Sequence, residues 1–178
     1  FDEAVTWSFI SEEEAGLFGG SDWKLANPIS EDMKVMRPSL LPGLIAAAQR
    51  NINRGASSVR LFEIGRRYLP DNEHPTVGMI MSGDRTSRDW QTGKAQDFTA
   101  FDAKAEVVAL LDAAGAPIAS LQVFPDAGPV WHPGRSATLR LGPKTVVAAF
   151  GELHPRLVKE HDVPGGCVAA EIYLDAIP

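Results

Sequence analysis

Near the start of the chain, Val5, Trp7 and Phe9 alternate with Thr6 and Ser8, a period of two that predicts a half-buried strand. Ser11 and Glu14 are spaced as a capping box, so a short helix opens there, and Gly19 and Gly20 end it. From Trp23 to Glu31, the residues Asn27, Pro28 and Ser30 favour turns and extended backbone, predicting a strand that runs into a loop. The clearest helical period lies in Leu40 to Asn53, where Leu41, Leu44, Ile45, Ala48 and Ile52 recur behind a candidate N-cap at Ser39. Pro42 falls in the first turn, where its missing N–H does no harm, and Gly55 is placed to terminate the helix.

Val59 to Tyr68 reads as a long strand and Thr76 to Ser82 as a second, joined through Pro70, Asp71 and Asn72 into an antiparallel hairpin. Gly83 to Gln96 is mostly polar or small, with Asp84, Arg85, Thr86, Ser87, Arg88, Thr92 and Gly93, which predicts a surface loop. Thr99 and Asp102 bracket a helix start whose apolar stripe is Phe101, Val107, Val108 and Leu111, and Gly115 and Pro117 stop it. Leu121 to Phe124, Ala137 to Leu141, Val146 to Phe150 and Val168 to Leu174 alternate as antiparallel strands, with a short helix from Pro155 to about His161 between the last two. The fold class is α+β, an antiparallel β-sheet flanked by helices. Without repeats, low-complexity tracts or a linker, residues 1–178 read as a single domain.

Composition narrows the function classes. With 44% hydrophobic residues in 178, the chain is able to build its own core. Its one cysteine, Cys167, excludes an intrachain disulfide and suits a reducing, cytoplasmic setting. No apolar run approaches the roughly 20 residues that span a bilayer, so no membrane partner is expected. The opening at Phe1, directly into a strand-like pattern, reads as a fragment of a longer protein. A net charge of −6 argues against a surface devoted to phosphate backbone. Arg50, Arg54, Arg60, Arg66 and Arg67 nevertheless lie close together, either as a local basic face or as a solvated, ion-paired set.

Catalytic signatures are sparse: there is no phosphate-binding Gly-rich loop ending in Lys-Ser/Thr, no Gly-x-Ser-x-Gly elbow and no His-Glu-x-x-His. His154 and His161, seven apart, are able to share a helix face, but Pro155 puts His154 at the boundary and no third metal ligand is evident. The stretch from Trp131 to Ser136 is either a binding loop or a structural turn whose His132 and Arg135 bond the backbone. Glu63 and Glu152 sit in strands among apolar neighbours, where ion pairing is favoured over acid–base catalysis.

Longer motifs carry more. Residues 27–44 (Asn-Pro-Ile-Ser-Glu-Asp-Met-Lys-Val-Met-Arg-Pro-Ser-Leu-Leu-Pro-Gly-Leu), Asn51 to Gly55 and Arg60 to Arg66 together resemble the core domain of bacterial phenylalanyl-tRNA synthetase beta subunits. Phe101-Asp102-Ala103-Lys104, His132 to Ala137, Gly151 to Pro155 and Glu171 to Asp175 extend the likeness over nearly the whole chain. The resemblance implies a fold like the class II aminoacyl-tRNA synthetase catalytic domain. It further implies an α2β2 heterotetramer in which the alpha subunit activates phenylalanine with ATP and the whole enzyme, using ATP and magnesium, attaches it to tRNA(Phe), while this module is a non-catalytic scaffold. An active domain of that class carries an Arg-x-Glu strand and a Gly-rich segment ending in arginine; here the strand reads Arg60-Leu61-Phe62-Glu63 and the Gly-rich segment is missing. No catalytic, cofactor-binding or metal residue is therefore assigned. The helix from Leu40 resembles the element by which such domains pair, so Arg37, Arg50, Asn53 and Arg54 are expected to face a partner. Two other readings compete, a tRNA-contacting module and residual adenylate formation.

Overall fold

A computed structural model describes every residue except Thr92, Pro164 and Gly165. Its frame is the hairpin that alternation predicts: β4 (Ser58–Tyr68) pairs antiparallel with β5 (Glu73–Thr86), from Ser58 opposite Gly83 to Tyr68 opposite Glu73. The other strands are β1 (Asp2–Glu3), β2 (Phe9–Ile10), β3 (Val35–Met36), β6 (Gln96–Asp97), β7 (Leu121–Phe124), β8 (Trp131–Leu141), β9 (Thr145–Leu153) and β10 (Val168–Tyr173). One eight-stranded sheet runs β1-β4-β5-β10-β9-β8-β7, with β6 on β5; only β1 is parallel to its neighbour. β2 and β3 form a separate two-stranded ribbon. The helices are α1 (Glu12–Leu17), α2 (Leu41–Asn53), α3 (Ala100–Ala113) and α4 (Pro155–Glu160).

Both faces of the central strands are filled. On one, Leu40, Leu41, Leu44, Ile45 and Ala48 of α2 and its entry pack with Leu61, Ile80, Ala149 and Leu157. On the other, Ala103, Val107 and Leu111 of α3 lie on Met79, Met81, Phe150 and Ile172. α2 comes so close because β5 carries Gly78, where a β-carbon would stand 2.8 Å from Leu44 Cδ1 and 2.9 Å from Leu40 Cβ.

The ends of α2 are completed locally at one end and remotely at the other. Gly55, at φ 97°, closes the C-terminus, with Gly55 N donating to Ile52 O (2.8 Å) and Ala56 N to Asn51 O (3.1 Å). At the N-terminus, the cap position is Leu40 and not Ser39. Ser39 Oγ accepts from Leu41 N (3.1 Å) and donates to Glu171 Oε1 (2.8 Å), and Leu40 N donates to the same oxygen (2.8 Å). A carboxylate on β10 thus satisfies the helix start. Burial raises the Glu171 pKa, opposed by the Leu40 and Ser39 hydrogen bonds and by the Arg67 and Arg37 charges.

Four further expectations change. Residues 4–8 form no strand, and Val5 and Trp7 are 90% and 67% exposed. Trp23 to Glu31 holds one isolated bridge, Lys24 with Val35, and is tied down by Trp23 Nε1 donating to Leu69 O (2.8 Å). The expected loop after Gly83 is shortened because β5 continues to Thr86 and pairs with β6; Thr92 lies outside the described residues. Phe101 is 81% exposed, since the inner face of α3 repeats every four residues from Ala103 and Phe101 sits about 200° round the helix from it. The capping box from Thr99 to Asp102 is present.

Beyond β10, the turn Leu174–Ala176 is held to the hairpin by His74, whose Nδ1 meets Asp175 and whose Nε2 lies 3.1 Å from Asp71 Oδ1. Hydrogen bonding first to Asp175 and then to Asp71 raises the His74 pKa above 6.5. The tie is therefore at full strength below the unfolded pKa and is lost as pH rises through the folded one. Titration by NMR should place His74 above 6.5, and Asp175→Asn should lower it. Gly78→Ala should destabilise the fold by about 1–3 kcal/mol through overpacking, read by denaturant melting; an unchanged midpoint would show that α2 shifts freely.

Candidate interaction surface

Arg37, expected to face a partner, is instead 3% exposed. Three acceptors draw it inward: its Nη1 donates to Glu63 Oε1 (2.8 Å) and to Thr6 Oγ1 (2.8 Å), and its Nε donates to Arg66 O (3.1 Å). Thr6 Oγ1 in turn donates to Glu63 Oε2 (2.7 Å), closing a ring of charge-assisted hydrogen bonds. Space for it comes from two glycines: a β-carbon on Gly65 would stand 2.5 Å from Arg37 Nη2, and one on Gly43 of α2 only 2.2 Å from Thr6 Oγ1. Main-chain bonds complete the attachment, with Ala4 N donating to Phe62 O (2.7 Å), Arg37 N to Ser8 O (2.9 Å) and Tyr68 N to Arg37 O (2.8 Å).

Pinning Thr6 inward decides where its neighbours go. The N-terminal arm keeps its alternation, but the polar residue faces the protein and Val5 and Trp7 face out. Between the arm and α2 runs a groove of about 360 Å³ lined by Val5, Trp7, Phe9, Pro42, Ala46 and Arg50, with Thr6, Ile10, Glu14 and Gly43 also on its walls. Burial raises the Glu14 pKa there, opposed by His161. Of the expected outward residues, Arg50 reaches this groove, while Asn53 and Arg54 are exposed at the end of α2 outside it. Val5 and Trp7 were missed: alternation marks them, yet only the inward hydrogen bonds of the half-buried Thr6 reveal which face is wet.

The remaining polar residues have structural partners. Glu152 pairs with Arg135 (2.7 Å), so Arg135 binds a carboxylate and not the backbone. His132 does bond the backbone, accepting from Gly134 N (3.1 Å), where β8 shifts register between Trp131 and Ser136. His154 caps α4 by accepting from Arg156 N (3.2 Å) and His161 ends it. Among the described residues, no three His, Cys, Asp or Glu side chains are grouped to hold a metal. Cys167 is buried, and burial pushes its thiol pKa up to about 12, which leaves it un-ionised at neutral pH. Two further surface grooves, of about 610 and 320 Å³, flank Trp131; Arg67 lies in the smaller with its guanidinium 3.8 Å over the Tyr173 ring. No helix among the described residues is long and apolar enough to cross a membrane.

Removing one member of a buried pair strands the other's charge. Arg37→Met should therefore cost about 3–5 kcal/mol and release the arm, whereas the double change Arg37→Met with Glu63→Leu should recover part of that loss. A denaturant series on Arg37→Met, Glu63→Leu and the double variant, with Trp7 fluorescence following the arm, tests this; additive costs would show that the two side chains are uncoupled.

The family model described as the phenylalanyl tRNA synthetase beta chain CLM domain matches residues 1–174. The chain is 62% identical over 177 residues to the phenylalanine–tRNA ligase beta subunit of Zymomonas mobilis, covering 99% of this chain and 22% of that protein. It is 58% identical over 183 residues to the beta subunit of Novosphingobium aromaticivorans, covering 99% and 23%. The chain thus spans less than a quarter of the length of these relatives. Among solved structures, a pyrrolysyl tRNA synthetase of Desulfitobacterium hafniense matches with a TM-score of 0.67 over 99% of this chain and 59% of that one. At 17% identity this likeness shows the fold alone, that of a class II synthetase catalytic-like domain. With a family match over nearly its whole length and relatives this similar, the chain belongs to the CLM-domain family of phenylalanyl-tRNA synthetase beta chains.

Proposed function

We propose that this domain is a non-catalytic scaffold of the phenylalanyl-tRNA synthetase beta subunit, pairing with the alpha subunit in an α2β2 heterotetramer. The whole enzyme then attaches phenylalanine to tRNA(Phe) in the cytoplasm, using ATP and magnesium that this domain does not itself bind. The observation that carries the reading is the outward pair Val5 and Trp7, displayed beside α2 by a buried ion-pair network. An indole and an isopropyl group held in water on a rigid mount are what an anchor at a subunit interface requires.

A non-catalytic role is supported by the strand that resembles the ATP-gripping element. Arg60 and Glu63 are three apart, so a strand sends them to opposite faces. Arg60 lies over the Phe98 ring (4.9 Å) and donates to Arg85 O (3.3 Å), while Glu63 is committed to Arg37 (2.8 Å) on the α2 side. The two are not placed to converge on one phosphate group.

Full-length beta subunits carrying Val5→Ala with Trp7→Ala should associate with the alpha subunit at least roughly thirty-fold more weakly, the scale of an interfacial hot spot, with an unchanged melting temperature. Arg50→Glu should weaken association less and reduce the degree to which added salt weakens it, and alanine at Asn53 or Arg54 should have smaller effects. Size-exclusion chromatography with light scattering reads the outcome. Wild-type assembly by the double variant would remove this surface from the interface.

A further inference from the structure

The end of the domain opposite the His74 tie carries a feature that subunit pairing leaves unused. β5 runs out to Thr86 and returns through β6, and the excursion between them ends in a tight turn. Gly93 N donates to Asp89 O (3.0 Å), Asp89 Oδ1 accepts from Gln91 N (2.6 Å), and Gly93 takes φ 83°. The turn is thus built from its own hydrogen bonds, and it holds Trp90 90% exposed. Arg88 and Lys94 flank the indole, and neither makes an ion pair among the described residues. A surface pocket of about 490 Å³ is lined by Arg88, Asp89, Trp90, Gly93 and Lys94.

Composition at the tip separates two kinds of partner. A tryptophan that anchors a protein contact sits within apolar neighbours that exclude water. Here the adjacent Arg88, Asp89 and Gln91, with Lys94 opposite, are all polar and exposed, so Trp90 offers a bare π face with no apolar ring around it. The charge fits the same partner. The chain carries −6, yet the stretch from Arg85 to Lys94 holds three cations and the single carboxylate of Asp89, whose Oδ1 accepts a main-chain hydrogen bond. Behind the tip, Arg85 pairs with Asp102 (3.2 Å), which fixes the base of the excursion and leaves Arg88 and Lys94 as its available cations.

We propose that Trp90, Arg88 and Lys94 form an RNA-contacting surface, in which the indole stacks on an unpaired base and the two cations neutralise the adjoining phosphates. An exposed aromatic between cations is the arrangement by which single-stranded nucleic acid is held without sequence readout. Trp90 is a binding residue here and takes no part in chemistry. The surface shares no residue with the groove beside α2, so failure of either assignment leaves the other standing.

The assembled enzyme, wild type and variant, is titrated with a tRNA transcript and with a short single-stranded oligouridylate across a range of salt concentrations. Trp90→Ala should weaken binding of the RNA by roughly ten-fold, the scale of one stacked base, and Trp90→Phe should retain most of it. Arg88→Ala with Lys94→Ala should flatten the dependence of log K on log salt by about 1.4, the share of two single-strand phosphates. Melting temperature and subunit association should not move, because all three side chains are exposed. RNA affinity and salt slope unchanged in both variants overturns the proposal. So does loss of subunit association at unchanged RNA affinity, which would make Trp90 a protein contact.

Discussion

A guanidinium drawn out of water has to find its acceptors inside the protein, and the place where Arg37 finds them organises everything around it. Glu63 supplies the opposite charge from β4, Thr6 bridges the two from the arm, and the Arg66 carbonyl takes a third N–H. Three segments far apart in sequence are thereby fixed to one another. The glycines at 43 and 65 are the steric counterpart of this arrangement, since a methyl at either would occupy the space of the groups being joined. Replacing the ring by hydrocarbon of similar volume need not weaken the fold, so its value lies in register and direction. It determines that the arm lies with Thr6 inward.

The same network bears on the division between structure and chemistry. A strand residue has only two faces to choose from, and Glu63 uses the α2 side for Arg37 while Arg60 turns to Phe98 on the other. With α2 and α4 covering one side of the sheet and α3 the other, the interior is given over to packing. The fold is shared with the pyrrolysyl enzyme, but fold carries no activity by itself. Among the apolar groups this chain displays to the outside are two side chains by the helix and an aromatic tip on a hairpin.

Much of the architecture was legible because it is written in periods. The α2 and α3 helices, the β4–β5 hairpin, the later antiparallel strands and the caps at Ser11, Thr99 and Gly55 all follow from local spacing. Misreadings arose where a distant polar group overruled the local pattern. Alternation in residues 5–9 has no sign of its own, so nothing nearby reveals that Thr6 has buried partners 31 and 57 positions away. Arg37 looked like a surface residue for the same reason. Ser39 resembled an N-cap, but a carboxylate on β10 moves that role one residue along. Phe101 differs in kind: it is a large apolar residue beside a real stripe, but its angle round the helix turns it to solvent.

The capping of α2 by Glu171 has a consequence in time. Leu40 and Glu171 are 131 positions apart, so while the chain is being synthesised the Leu40 N–H at the start of α2 lacks its carboxylate acceptor until β10 has left the ribosome and joined the sheet. The helix that borders the groove is therefore among the last elements to be finished, although its residues are made early. A nascent chain does not complete that wall of the groove until β10 is in place.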